Sequence, residues 1–323
     1  MRITNLWAGA RQFSWSLGIP VGMTAYFSQH PEWHGDLQVF RGVTESLRHP
    51  PWARWIFALL ALPPEPVAYI GLSLVCSASF YLAVRLFGGR HWLLFTSFAF
   101  GWTLLYGQID GLVVGGLALA WWALLQKRPV LLGAGLLLAL VKPQLSLPMA
   151  LLLWFWSPSR TLSLLVPTLA LALTFVQWGW WVPGWLRAIQ DTSDLVYLSR
   201  NLSLWPTLGP WALAIWALIL PARLPRPRKL LAVAVGTVLS VPYFPLPSAV
   251  LLLVIPTPVW AWLLLQAPLL GGAVGYWVYE VSKLASPALL AWVFLPELRL
   301  AWTRLKESEG VTRYLENRRG QAG

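Results

Sequence analysis

The sequence predicts an all-α polytopic membrane protein of about 10–12 transmembrane helices, on three observations. Of its 323 residues, 57% are hydrophobic and only 11% are charged, whereas soluble domains carry about 25% charged residues. The apolar residues come in unbroken runs that approach the ~20 needed to cross a bilayer, without the alternating faces of a soluble core. The 24 Lys and Arg and 12 Asp and Glu punctuate those runs instead of forming one patch, so the charge of +12 does not predict nucleic-acid binding. A single cysteine, Cys76, excludes an internal disulfide and a multi-cysteine metal cluster.

Taken in order, the predicted spans are 10–28, 66–87, 91–107, 109–126, 129–141, 145–157, 160–178, 203–220, 229–242, 247–265, 268–282 and 285–297. The first contains Arg11 and Pro20 and lacks a small-residue cleavage site, so it reads as a retained anchor. Alternate threading puts about 17 of the 24 Lys and Arg on the side of the termini, which makes that side cytoplasmic in a cell membrane. The chain divides into a membrane domain, 1–298, and a basic tail, 299–323, attracted to anionic headgroups. The 26 prolines predict broken helices whose freed carbonyls face protein or a cavity. The clearest break is Lys142-Pro143-Gln144, between two stretches too short to cross alone.

Two outer loops follow, at about 29–65 and 179–202. In the first, Leu37, Phe40, Val43 and Leu47 recur at helical spacing opposite Gln38, Arg41, Glu45 and Arg48, predicting an amphipathic helix lying on the membrane. Asp36 precedes it as an N-cap. Trp52, Trp55, Trp178, Trp180, Trp181 and Trp185 read as an interfacial belt or as sugar-stacking faces. Gly115, Gly116, Gly133 and Gly135 read as close helix packing.

The threading brings Asp36, Asp110, Lys142, Arg187, Asp191, Asp194 and Arg200 toward one side from separate stretches of sequence. Charges at membrane depth line a wet path, pair with one another or bind a polar ligand. Asp110 and Lys142 fit either a mutual ion pair or a ligand site, and Asp191 and Asp194 fit a solvated loop. His30, Glu32, His34 and Asp36 are close enough in sequence to suggest a metal, but Pro31 breaks their register; no metal site and no cofactor are expected.

Gly107-Gln108-Ile109-Asp110-Gly111, then Lys127-Arg128-Pro129, Gly133-Ala134-Gly135-Leu136 and Lys142-Pro143-Gln144 resemble the core of glycosyltransferase family 87, multipass enzymes of GT-C type. Asp36-Leu37-Gln38-Val39-Phe40-Arg41 resembles that family's first-loop pattern, and Asn201-Leu202-Ser203 its Asn-x-Ser element. Late in the chain, Ser240 to Ser248 has no histidine where the family usually carries one, and Tyr243 stands there instead.

The resemblance implies an inverting transferase that moves a sugar, mannose most commonly, from a polyprenyl-phosphate donor to a lipid or glycan acceptor on the outer face. It implies Asp36 as general base. For substrate binding it implies Gln108, Asp110, Lys142, Gln144, Arg187, Arg200, Asn201 and Tyr243, with Lys142 toward the leaving phosphate and the two arginines in reserve. Membrane lipids are the other expected partners. A transporter or lipid flippase is the competing class, since it too has broken helices around polar groups, although no repeat is visible; a noncatalytic scaffold is a third.

Overall fold

The apolar runs fold into helices in the computed structural model, which describes residues 10–42, 49–190, 200–270 and 278–299. Among these residues the only β contact is an isolated antiparallel bridge between Asn201 and Pro245. The molecule is an all-α polytopic membrane protein. Its helices are α1 (Ala10–Phe27), α2 (Gly35–Gly42), α3 (Ala53–Ala61), α4 (Glu65–Phe87), α5 (His91–Phe95), α6 (Phe98–Leu105), α7 (Asp110–Leu125), α8 (Pro129–Ala139), α9 (Pro143–Phe155), α10 (Arg160–Ser163), α11 (Leu165–Trp178) and α12 (Val182–Gln190). They continue as α13 (Trp205–Ile219, part of it 3-10), α14 (Arg226–Ser240), α15 (Val250–Leu253), α16 (Val259–Leu269) and α17 (Glu280–Arg299).

Among the described residues only α4 and α17 are single helices long and apolar enough to cross a bilayer. At 23 and 20 residues they span about 35 and 30 Å. Two further candidate spans are bent pairs, α6 with α7 at 116° and α11 with α12 at 95°. This departs from the even series of separate crossings drawn from hydropathy. The expected 91–107 is divided between α5 and α6, the expected 247–265 breaks between α15 and α16, and α17 runs through the boundary drawn between 268–282 and 285–297. Proline and glycine are the reason. α4, α8, α9, α13 and α14 each begin with a proline at their first or second position, where no intrahelical N–H is needed.

Small residues set the closest helix contact. A Cβ on Gly116 of α7 would lie 2.4 Å from the Ala139 backbone nitrogen, and one on Gly135 of α8 would lie 2.6 Å from that of Ala120. Gly116/Ala120 and Gly135/Ala139 thus form two facing small-xxx-small pairs that let the backbones touch. Gly133 meets the Ser163 carbonyl in the same way. Large apolar side chains such as Leu165, Leu169, Leu173 and Val176 of α11 stand outward, as a lipid-facing surface requires.

The α7 terminus stores strain. Arg128 donates its backbone N–H to the Ala123 carbonyl and Lys127 to that of Leu124, a Schellman cap that places Lys127 at φ 55°. Any residue with a Cβ is penalised there. Lys127→Gly is expected to stabilise the protein by about 0.5–1 kcal/mol, read as a higher unfolding midpoint in detergent; an unchanged or lower midpoint contradicts it.

The segment expected to form the first outer loop differs from expectation in two ways. α2 begins at Gly35, so Asp36 lies inside its first turn and is not the N-cap, and the Gln38 N–H closes onto the His34 carbonyl. The apolar face of α2, Leu37 and Phe40, is buried in protein. α3 was not anticipated, because a nine-residue apolar stretch between prolines is too short to register as a span. Residues 43–48, which include Val43, Glu45, Leu47 and Arg48, lie outside the described residues, as do Asp191, Asp194 and all of the tail beyond Arg299.

Candidate active site

The site is built on two breaks in the helical backbone. Between α6 and α7, Gly107 takes φ 65°, with its N–H on the Leu104 carbonyl and that of Gln108 on Thr103. This is a second Schellman cap, and here glycine suits the left-handed position. It also lets α2 approach, since a Cβ on Gly107 would lie 2.7 Å from the Leu37 Cβ. The exposed Tyr106 carbonyl accepts the N–H groups of both Asp36 and Leu37 at 3.1 and 3.2 Å. One turn thereby fixes the start of α2 and aims Gln108 and Asp110 into the space below it.

The second break separates α8 from α9. Pro143 has no N–H to give, and the freed carbonyls are taken by side chains. Ser146 donates its hydroxyl to Ala139 at 2.6 Å, and His49 donates Nδ1–H to Val141 at 3.0 Å. Lys142 sits at the N-cap of α9, where an ammonium opposes the helix dipole. Its position is maintained by Asp110 in the first turn of α7, where a carboxylate is favoured.

Side chains from these breaks form one chain of bonds. Lys142 Nζ donates to Asp110 Oδ1 at 2.5 Å and to Gln108 Oε1 at 2.9 Å. Gln108 Nε2 donates to Asp36 Oδ2, and Ser248 Oγ donates to Asp110 Oδ2 at 2.6 Å. An ammonium only donates, so it must face the amide oxygen of Gln108, which turns the amide NH₂ toward Asp36. The carboxylate is thus oriented by one oxygen, and Oδ1 is left for another group. Asp110 is fully buried and Lys142 is 7% exposed, while Asp36 and Gln108 are half-buried. The Asp110 to Lys142 ion pair and the convergence on Asp36 therefore coexist.

Burial raises the Asp36 carboxyl above the usual aspartate range; the Lys142 ammonium pulls it back, Asp110 pushes it further up and the Gln108 amide lowers it. His49 is driven down to about 4, chiefly by burial, with the Val141 carbonyl opposing and Lys142 reinforcing. It is therefore a neutral imidazole at pH 7, wedged edge-on against Phe40 and Phe57 at 5.6 and 5.3 Å.

The remaining expected site residues lie outside this chain of bonds. Asn201 is fully buried, and its Oδ1 accepts the N–H of Ser203 and of Phe244 while Nδ2 donates to Pro242. That clamp brackets Tyr243, half-buried on the segment that also carries Ser248. The Arg200 guanidinium lies over the Trp102 ring at 4.6 Å, and Trp102 stacks on Tyr106 at 5.6 Å, so Arg200 adjoins the turn that holds Asp36. Gln144 is half-buried in the first turn of α9. Arg187 is exposed and donates to Pro183 of its own helix. His34 turns away from Asp36 toward Glu65 and the Phe27 carbonyl, and among the described residues no three His, Cys, Asp or Glu are placed to hold a metal. Sequence reasoning missed His49 and Ser248; that a buried Asp110 needs a partner for each oxygen was readable, but nothing in the sequence pointed to Ser248, 138 residues away.

Two hollows flank α2. One, about 470 Å³, opens beside Gly35 and Tyr106 and is walled by Tyr26, Phe27 and Trp33, with Glu32 at its edge. The other, about 230 Å³, lies on the side of Phe40 and Arg41.

Glycosyltransferase family 87 matches residues 48–245, more than half of the chain. The chain belongs to glycosyltransferase family 87. It is accordingly a membrane glycosyltransferase. The matched residues include Gln108, Asp110, Lys142, Asn201 and Tyr243, and Asp36 lies outside the match, which begins at residue 48. No match was found among curated proteins or among solved structures.

Proposed function

We propose that this family 87 protein is an inverting transferase that moves a sugar, mannose in the first instance, from a polyprenyl phosphate to a lipid or glycan acceptor at the outer face of the cell membrane, with both termini cytoplasmic. The observation that carries the reading is the bond chain from Asp36 through Gln108 to Lys142 and Asp110. In the reaction the acceptor hydroxyl attacks the anomeric carbon, its proton passes to Asp36 Oδ1, and the bond to the lipid phosphate breaks with its electrons on phosphate. Gln108 aims the carboxylate. Lys142 gives one proton to Gln108 and one to Asp110, and offers the third to the leaving phosphate. The aromatic hollow beside Gly35 supplies ring faces of Tyr26, Trp33 and Tyr106 for an acceptor sugar. The basic residues on the expected cytoplasmic side support the orientation.

The test is transfer of radiolabelled mannose from a synthetic polyprenyl-phosphate donor to membrane lipid acceptors, using purified protein in proteoliposomes. Absence of transfer from every polyprenyl-phosphate sugar offered would overturn the proposal. The reaction also has a required pH dependence. A base works only when ionised, and burial raises the Asp36 pKa above 3.8. Activity is therefore expected to fall, as the solution is acidified, at a pH higher than an ordinary aspartate would dictate. The acid limb of kcat/KM against pH measures this; a limb at or below pH ~4 contradicts it.

A further inference from the structure

The smaller hollow is cationic. Arg41 of α2 and Arg54 of α3 both line it, together with Trp55, Phe57, Gln177 and Trp178, and among the described residues no carboxylate lines it. Each guanidinium is held in a defined place. Arg41 donates Nη1–H to the Leu60 and Pro63 carbonyls at 2.7 Å each, which leaves its other nitrogens for a ligand. Arg54 lies over the Trp178 ring at 5.4 Å, and its Nε is buried with no hydrogen-bond acceptor. A buried N–H of a charged group without an acceptor is costly, and two guanidiniums sharing one hollow with no counter-charge among its described lining residues add to that cost. A ligand bringing an anion with several acceptor oxygens removes both costs.

The walls say what carries that anion. Trp55 is fixed by its indole N–H on Gln177 Oε1 at 2.9 Å and lies 5.9 Å from Trp178, so the aromatic side of the hollow is rigid. Ala58 and Ala61 open it outward, onto a surface where Leu59 of α3, Leu62 just after it and Val176 of α11 are strongly exposed. An anionic head and an apolar tail would both be accommodated. Phe40, in the wall of the hollow, stands one turn along α2 from Asp36 and also packs on His49. We infer that the Arg41–Arg54 hollow is a binding site for the phosphate ester of a lipid, separate from the Lys142 berth and opening beside the Asp36 site. The lipid is either the prenyl carrier or an anionic phospholipid, and the chemistry recognised is the same.

The inference concerns binding and is tested without turnover. Equilibrium binding of a tritiated ten-carbon isoprenyl phosphate to the purified full-length protein in neutral detergent is measured, with the unphosphorylated isoprenol as control. Saturable binding of the phosphate and none of the alcohol is expected, and Arg54→Gln is expected to weaken it about tenfold or more. Arg54→Lys should restore part of the loss; the readout is binding without turnover, which separates this site from the transfer proposal. Competition by dioctanoyl phosphatidylglycerol as effective as by unlabelled isoprenyl phosphate assigns the site to phospholipid; weak competition assigns it to the prenyl carrier. Because Arg54 Nε has no protein acceptor, Arg54→Gln should not lower the unfolding midpoint. Equal affinity of wild type and a folded Arg54→Gln, or equal binding of alcohol and phosphate, overturns the inference.

Discussion

Asp36→Asn is expected to lower sugar transfer by about 10²–10⁴-fold, the usual worth of a general base, while leaving the fold intact. The asparagine oxygen can still accept the Gln108 amide hydrogen that Asp36 Oδ2 now accepts, and the backbone N–H at position 36 still meets the Tyr106 carbonyl. What the amide lacks is a basic oxygen to take the acceptor's proton. Transfer measured alongside an unfolding midpoint separates the two effects. A loss of rate with an unchanged midpoint fits a base; equal turnover by both proteins removes Asp36 from the mechanism. Asp36→Glu is a useful companion, since it keeps the charge but moves it by one methylene. It is expected to fall between wild type and asparagine, because proton transfer depends on placement within hydrogen-bond reach.

The core of this site was legible because polar groups are rare in the chain. Gln108, Asp110 and Lys142 stand out in runs that are otherwise apolar, and the cost of placing them at membrane depth already implied mutual partners. Asp36 was legible as a carboxylate but not in its local role. Helix spacing placed it just outside α2, whereas the helix begins two residues earlier, at Gly35, with the Asp36 and Leu37 N–H groups on the Tyr106 carbonyl. His49 and Ser248 were not legible. A histidine before two prolines and a serine among prolines look like ordinary loop chemistry, and only the folded chain shows that one takes a carbonyl freed by Pro143 and the other the second oxygen of Asp110. Helix count failed for a related reason. Hydropathy measures how apolar a run is, but Gly107 and Pro143 decide where it bends, and bent or short helices packed on one another need not each reach across the bilayer.

The largest expected effect on stability is at Asp110. Asp110→Ala leaves the Lys142 ammonium, 7% exposed, without its anionic partner, and leaves the Ser248 hydroxyl without its acceptor. Breaking one side of a buried pair typically costs about 3–5 kcal/mol, because the abandoned charge keeps its desolvation penalty. The same reasoning says that the pair itself contributes far less than that figure. Replacing both partners, Asp110→Ala with Lys142→Met, removes the stranded charge and is expected to recover most of the loss. The measurement is equilibrium unfolding of the four proteins of the cycle in mixed micelles. A single Asp110→Ala variant within about 1 kcal/mol of wild type would mean that water or another group already compensates Lys142. If the double variant is stable but transfers no sugar, the pair serves the reaction and not the fold, through the direction it gives the Gln108 amide and through the contact of Lys142 with the leaving phosphate.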